Sequence, residues 1–589
     1  MKHMNRKKRR KMEFNDLLIP LLIVLAILPF VVYLAMYDCG LGQELWYGEN
    51  DIIGDIYCYY KSRLFVLVSV VAALILCVSF LIYKNYRHLP KMFWLLALFY
   101  VPVLISTFRT VNTKDTTIGS IYHFESIFVL LGYGIMFLYA YVFVRKEKDY
   151  ECIAQTLVIS TAGFAVIGLL QVCNKDLFDM EWFIRLITPA EWETYALENM
   201  QDAFSGNNVS LTLFNPNNAG QYLAMILPVF ILWALFTEKK WMKCVLGFFS
   251  VILILLLWCT YSRGALLAFF VELLVLSVIL WKKHSLKSRK SFTYIVFFAG
   301  LCVIILLFVE FMSGFKFIHR LHDESSDSKL KEIVTGSDSV DITYDNHKVQ
   351  IGFSDQASGF FVQLDGDDVT DTYLAADGSF QREELKNFQV FSMEESREPV
   401  MVVMIEDIGY SFIYEDESYY HINDLGKADK LVHIEALDFH GMELKGSGRL
   451  YIWSRSIPLL KNYLIWGSGP DTFYRVFPQN DYVGKKQYTG TSARMIEKPH
   501  NNYIKIAVQT GVLSLVLLII FYGWYASCIA KAISDTQVFS KKNIVGIGFF
   551  LGTIGYVISS FFYDSSLPCT PLAALMAGVS LAYARKESN

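Results

Sequence analysis

Apolar runs close to the ~20 residues that a bilayer's hydrocarbon core demands of a helix recur along most of this chain, and they restrict it to a helical bundle in a membrane. They fall at residues 17–36, 63–83, 91–108, 124–144, 151–171, 218–237, 241–259, 262–281, 292–312, 503–527, 543–562 and 567–584, which makes twelve spans. Hydrophobic residues form 54% of the chain and mean hydropathy is +0.36, values that exclude an ordinary soluble domain. The fold class is therefore an all-α polytopic membrane protein, interrupted by one long polar stretch.

Basic residues report the sidedness. Arg6, Lys7, Lys8, Arg9, Arg10 and Lys11 precede the first span, and further lysines and arginines cluster at 84–91, 145–148, 239–243, 282–290 and 531–542. All lie on the side of both termini, so the positive-inside rule places the termini in the cytoplasm and the long polar segments outside. The first run is of full span length and lacks a small-x-small cleavage site before Tyr37, so it reads as a retained helix and not a signal peptide. A net charge of -3 gives no field for nucleic acid, and the basic start reads as a membrane anchor. Most cysteines sit in or beside apolar spans as small buried hydrophobes. Cys39 and Cys58 share one external loop, and spacing leaves open whether they pair. No CxxC or His-rich cluster suggests a metal, and no cofactor is implied.

The chain divides into spans one to nine (1–312), an extracytoplasmic region (313–499) and spans ten to twelve (500–589). Residues 332–440 alternate in short runs such as Val349-Gln350-Ile351-Gly352-Phe353 and Val400-Met401-Val402-Val403-Met404, separated by turns such as Asp365-Gly366-Asp367, and predict an antiparallel β-domain. The acidic turn Asp365, Asp367, Asp368, Asp371 lacks the closing glutamate of a calcium loop and reads as a solvated turn. Over 448–466, Leu450, Trp453, Ile457, Leu460 and Leu464 recur at helical spacing with Arg449, Arg455 and Lys461 elsewhere around the helix, as in an interfacial helix; Gly467-Ser468-Gly469-Pro470 ends it. Loop 174–217, with Trp182, Phe183, Ile187 and Trp192, reads as a further interfacial helix or as ordinary loop packing.

Three residues carry the candidate chemistry. Arg263, in Cys259-Thr-Tyr-Ser-Arg-Gly264, stands near a helix N-terminus, where its charge opposes the dipole unless an anion rests on both. Snorkelling to lipid phosphates is the bland alternative. Arg449 begins the interfacial helix on the same side, and together the two guanidiniums suit a diphosphate. His500 follows Pro499 and precedes Asn501 and Asn502, good helix caps, so it stands where membrane meets water with a near-neutral titration range suited to removing a proton from a hydroxyl; a plain capping histidine is the alternative.

Four motifs, in order along the chain, resemble those of the O-antigen ligase and O-antigen polymerase superfamily of bacterial membrane glycosyltransferases. They are Leu213-Phe-Asn-Pro-Asn-Asn-Ala-Gly220, Thr260-Tyr-Ser-Arg-Gly-Ala265, Gly448-Arg449 with Trp453 and Gly467-Ser-Gly469, and His500-Asn-Asn-Tyr503 with Gly511. The resemblance spans roughly residues 90–585. It implies transfer of a glycan from undecaprenyl diphosphate to an acceptor hydroxyl on another glycan or a cell-envelope anchor, with inversion and without metal, at the outer face of the cytoplasmic membrane. It makes His500 the base and Arg263 and Arg449 diphosphate ligands, with Asn215, Asn217, Asn501, Gly467 and Gly469 shaping the site. Glu125 falls where many members have an arginine-rich Glu-Gly turn, but Ser126 replaces that glycine and no role is assigned. Gln509 stands where members often carry an acidic helper. Ligase and polymerase share the donor end and are not separated here. Two other classes fit twelve spans: a flippase or transporter, which usually exposes ionisable groups near mid-membrane, and a glycan sensor, which would leave Arg263 and His500 dispensable.

Overall fold

A computed structural model describes residues 15–41, 52–84, 86, 89–200, 208–282, 328–354, 359–374, 378–393, 399–536 and 539–585. Among these, seven helices are long and apolar enough to cross a membrane: Tyr59–Tyr83, Glu147–Val172, Pro216–Phe236, Lys240–Cys259, Arg263–Lys282, Val512–Asp535 and Lys541–Ser559. Shorter apolar helices cover Asp16–Phe30, Phe93–Phe108, Ile127–Phe143 and Thr570–Tyr583. Each coincides with a run read from the sequence, while the expected span at 292–312 lies outside the described residues.

Two expected spans differ in detail. The first stops at Phe30, after Pro29, whose ring nitrogen has no hydrogen to donate to the helix, and the chain runs extended into a strand, Ala35–Asp38, paired antiparallel with Ile52–Asp55. The run 503–527 is not one helix: it divides at Gly511 into Asn502–Thr510 and Val512–Asp535. Gly511 adopts φ 101°, and a Cβ there would meet the Ile465 carbonyl oxygen at 2.4 Å, so the break needs glycine.

Among the described long helices, Pro216–Phe236 is the most enclosed. It packs against Lys541–Ser559, Lys240–Cys259 and Arg263–Lys282, while Thr570–Tyr583 packs on Ile127–Phe143. One apolar cluster runs through these helices, including Leu223, Leu227, Leu253, Phe549 and Met576. Cys39 and Cys58 lie in separate apolar clusters. In loop 174–217 the chain forms two short helices, Glu181–Ile187 and Glu193–Met200, with Ile184 and Ile187 buried and Trp182 exposed.

The polar stretch is β-rich, as its alternation predicts, and its described strands form two sheets over one core. Five strands from Leu330 to Asp368 and seven from Tyr373 to Asp429 each form an antiparallel meander in chain order. Every second residue of these strands turns inward, so Ile333, Ile342, Ile351, Val362, Val390, Val403 and Phe412 share one core. In the acidic turn, Asp365 Oδ2 lies 2.7 Å from His347 Nδ1 and its Oδ1 accepts from the Lys348 amide. The sheets dock on the helical part through Asp424, which accepts from Lys486, Thr491 and the Ser492 amide; although partly buried, its carboxyl is held well below the usual range by these donors.

Candidate active site

The helix that opens with Arg449 starts abruptly because Gly446, Ser447 and Gly448 all take left-handed backbone angles. It runs to Leu459 and is clamped by Asp481, whose carboxylate accepts from Arg455 at 2.8 Å and Tyr451 at 3.0 Å and caps the helix Tyr482–Thr489. One turn after Arg449, Trp453 Nε1 donates to the Pro499 carbonyl at 2.8 Å. The arginine helix therefore grips the turn that presents His500.

His500 itself has φ 52°, a left-handed angle forced between Pro499 and the capped helix that follows. Asn501 caps that helix by accepting from the Tyr503 and Ile504 amides, while its own amide donates to Asp564 Oδ1 at 3.1 Å. Asp564 Oδ2 lies 3.7 Å from His500 Nδ1, longer than a hydrogen bond but aimed at the ring. Asp564 is buried and His500 is 34% exposed, so the pair has one dry end and one open to solvent. Burial and the nearby charges of Lys498, Arg449, His123 and Arg494 hold the imidazole well below its ordinary titration range, so it is neutral at pH 7. Burial pushes the Asp564 carboxyl up, opposed by Lys505 and Lys498.

Arg449 and the Arg263 turn meet on one tyrosine. The Arg449 guanidinium carbon lies 5.9 Å from the Tyr563 ring centroid. The hydroxyl of Tyr563 bonds Ser262 Oγ at 2.5 Å and accepts from the Ala265 amide at 3.2 Å. Arg263, half-buried, lies between those two contacts at the first position of its helix. Asn215 caps Pro216–Phe236 by accepting from the Asn218 amide at 2.9 Å, and Asn218 ties that turn to the Tyr563 loop through Ser566 and Cys569. Asn217 is half-buried at the second position of the same helix.

Gly467 and Gly469 brace the histidine helix from behind. The Ser468 and Gly469 amides donate to the carbonyls of Val508 and Gln509, and a Cβ on Gly467 would meet the Gln509 carbonyl carbon at 2.1 Å. The Gly469 position, at φ 116°, would put a Cβ 2.2 Å from Thr110 Oγ1. Gln509 thus serves through its backbone.

Several groups here were given no role in the sequence reading. Glu125, assigned no role there, forms a buried ion pair with Lys505 and accepts from Tyr133 at 2.5 Å and Ser565 at 2.9 Å. Asp471, pushed up to about 6 by burial, accepts from the Ser120 and Glu125 amides and so fixes that loop. A cavity of ≈150 Å³ begins at Lys505, Asn502 and Ser565 and continues between apolar helices past Tyr100, Phe137 and Phe521.

The structure thus defines a polytopic membrane protein whose helix ends, on the side opposite the basic loops, gather guanidiniums around a neutral histidine. A family described as O-Antigen ligase matches residues 400–519, which include Arg449, Gly467, Gly469, His500 and Asn501. The match covers about a fifth of the chain and leaves Arg263, Asn215, Asn217 and Asp564 outside it. It supports a place for the chain in the O-antigen ligase and polymerase superfamily, and so implies a glycosyl-transferring membrane enzyme of polysaccharide assembly. No curated protein and no solved structure matches the chain.

Proposed function

We propose that this chain transfers a glycan from a polyprenyl-diphosphate carrier, undecaprenyl diphosphate in bacteria, to an acceptor sugar hydroxyl at the outer face of the cytoplasmic membrane. The observation that carries this reading is a neutral His500, backed by the buried Asp564 carboxylate and standing beside Arg449, which shares Tyr563 with the Arg263 turn. Asp564 faces Nδ1, which favours the tautomer with its proton there and leaves the Nε2 lone pair to act. Nε2 takes the acceptor hydroxyl's proton as its oxygen bonds the anomeric carbon. The bond from that carbon to the diphosphate oxygen breaks on the opposite face, so the configuration inverts. The departing diphosphate carries its charge onto Arg449 and Arg263, whose guanidiniums need no proton transfer to receive it. The protein's own cations meet that demand, which is why the reading is metal-independent. The cavity beneath Lys505 gives the first isoprene units of the carrier an apolar path.

The test is mass spectrometry of lipid-linked glycans in native-host cells carrying wild-type protein or His500→Ala at matched membrane levels. Single repeats accumulating on lipid in the variant indicate a polymerase, and long lipid-linked chains indicate a ligase. An unchanged pool overturns the transferase reading in favour of transport or sensing.

A further inference from the structure

The turn that presents His500 docks its neighbours on different parts of the fold. Glu497 lies 3.5 Å from His123 Nε2, the Pro499 carbonyl accepts from Trp453, and His500 faces Asp564. Lys498 is docked differently. Its Nζ lies 5.6 Å from the centroid of Phe214, the residue before the capping Asn215, and among the described residues no carboxylate comes within ion-pair distance of it. The residue is half-buried.

The charge of Lys498 is felt by His123, Glu497, His500, Asp564 and Cys58, and Arg449 and Arg494 act on the same imidazole. Three cations thus act on one imidazole, with two carboxylates nearby: Glu497 lies 3.5 Å from His123, and Asp564 accepts from the Asn501 amide through Oδ1 while its Oδ2 faces His500. Holding an ammonium partly out of water with no carboxylate within ion-pair distance among the described residues, at an imidazole on which two guanidiniums also act, costs free energy that an incoming anion recovers. The aromatic ring of Phe214 supplies a platform that fixes the ammonium without neutralising it.

We propose that Lys498 is a third protein ligand of the donor diphosphate, held over Phe214 beside His500 and acting together with Arg449. This rests on the glycosyl-transfer reading above. It also gives the Asn-Pro-Asn turn a part in donor binding, because Asn215, by capping its helix, sets the position of Phe214 and therefore of the lysine.

The experiment uses the purified full chain in lipid nanodiscs with a short-chain polyprenyl-diphosphate-linked oligosaccharide and a soluble acceptor glycan, comparing wild type, Lys498→Gln and Lys498→Arg. Losing one charge-assisted contact raises the donor KM of Lys498→Gln about tenfold or more and leaves the acceptor KM unchanged, while Lys498→Arg stays within about threefold of wild type. The acid limb of kcat/KM also moves to higher pH in Lys498→Gln, because one cation depressing His500 is gone while Arg449, Arg494, His123 and Asp564 remain. An unchanged donor KM in Lys498→Gln, with wild-type transfer intact, overturns the role of Lys498 alone. Equal loss in Lys498→Gln and Lys498→Arg with unchanged thermal unfolding does the same, since the charge is then not what matters. Absence of transfer by the wild type overturns the glycosyl-transfer reading and this inference with it.

Discussion

Replacing Asp564 by asparagine tests whether the histidine is driven by its buried carboxylate. The change is close to isosteric: asparagine keeps an oxygen to accept from the Asn501 amide, so the turn that presents His500 holds its shape. What is lost is one negative charge 3.7 Å from His500 Nδ1. Across that distance, stabilisation of the imidazolium that forms as the acceptor proton arrives is about 1 kcal/mol in a water-like dielectric and about 4 kcal/mol at an effective dielectric near 20. Asp564 is buried but His500 is 34% exposed, so screening takes the value between those limits. A loss of about 2–3 kcal/mol corresponds to a fall of roughly 30- to 150-fold in the proton-transfer step. The assay is single-turnover transfer from a lipid-linked donor at saturating acceptor, with donor binding measured separately. The reasoning predicts the fall in rate with donor affinity nearly unchanged. A single-turnover rate within threefold of wild type would refute it and leave Asp564 as a backbone anchor for Asn501.

Arg449→Lys keeps the charge but loses the planar fork, and transfer falls about tenfold or more through donor affinity; near-normal kinetics would mean that charge alone suffices. Gly469→Ala forces a side chain onto Thr110 at a left-handed angle and destabilises the fold by about 1–3 kcal/mol, read as a lower midpoint of thermal unfolding in detergent; an unchanged midpoint would show that the Gly467–Gly469 brace is soft. Because the folded state holds His500 well below its ordinary range, wild-type transfer stays constant down through pH 6.5 and is lost only as the pH falls through that depressed value; a limb at or above 6.5 would contradict the neutral imidazole.

The membrane helices were legible because burial in lipid needs only length and apolarity, both local properties of sequence. The division of the 503–527 run was not, because Ile504, Ile506, Ala507 and Val508 continue the hydrophobic pattern up to Gly511, and only the approach of the Ile465 carbonyl reveals why glycine stands there. Strand alternation identified the β-rich region, but periodicity says nothing of which strands share a sheet, and the division into two meanders depends on long-range packing. In the site, Arg449, His500 and Asn501 carried local signals: a glycine-rich turn, a proline and a cap. Asp564, Tyr563 and Lys505 carried none, and Glu125 carried only its place in a turn whose glycine is replaced by Ser126. Lys505 meets Glu125 from 380 residues away, and Lys505 reads in sequence as a stray charge on an apolar helix. Asp564 and Tyr563 lie in a short loop between two apolar helices, where only the fold shows that they back His500 and join the two arginine-bearing elements.

The most direct test of the central claim is transfer by the purified protein in nanodiscs, comparing wild type with His500→Ala for both donor binding and product formation. The account predicts that the variant binds the polyprenyl-diphosphate-linked donor as wild type does and forms product at least about a hundredfold more slowly, since a general base contributes that much or more. Product formation by His500→Ala at a rate near wild type would contradict it.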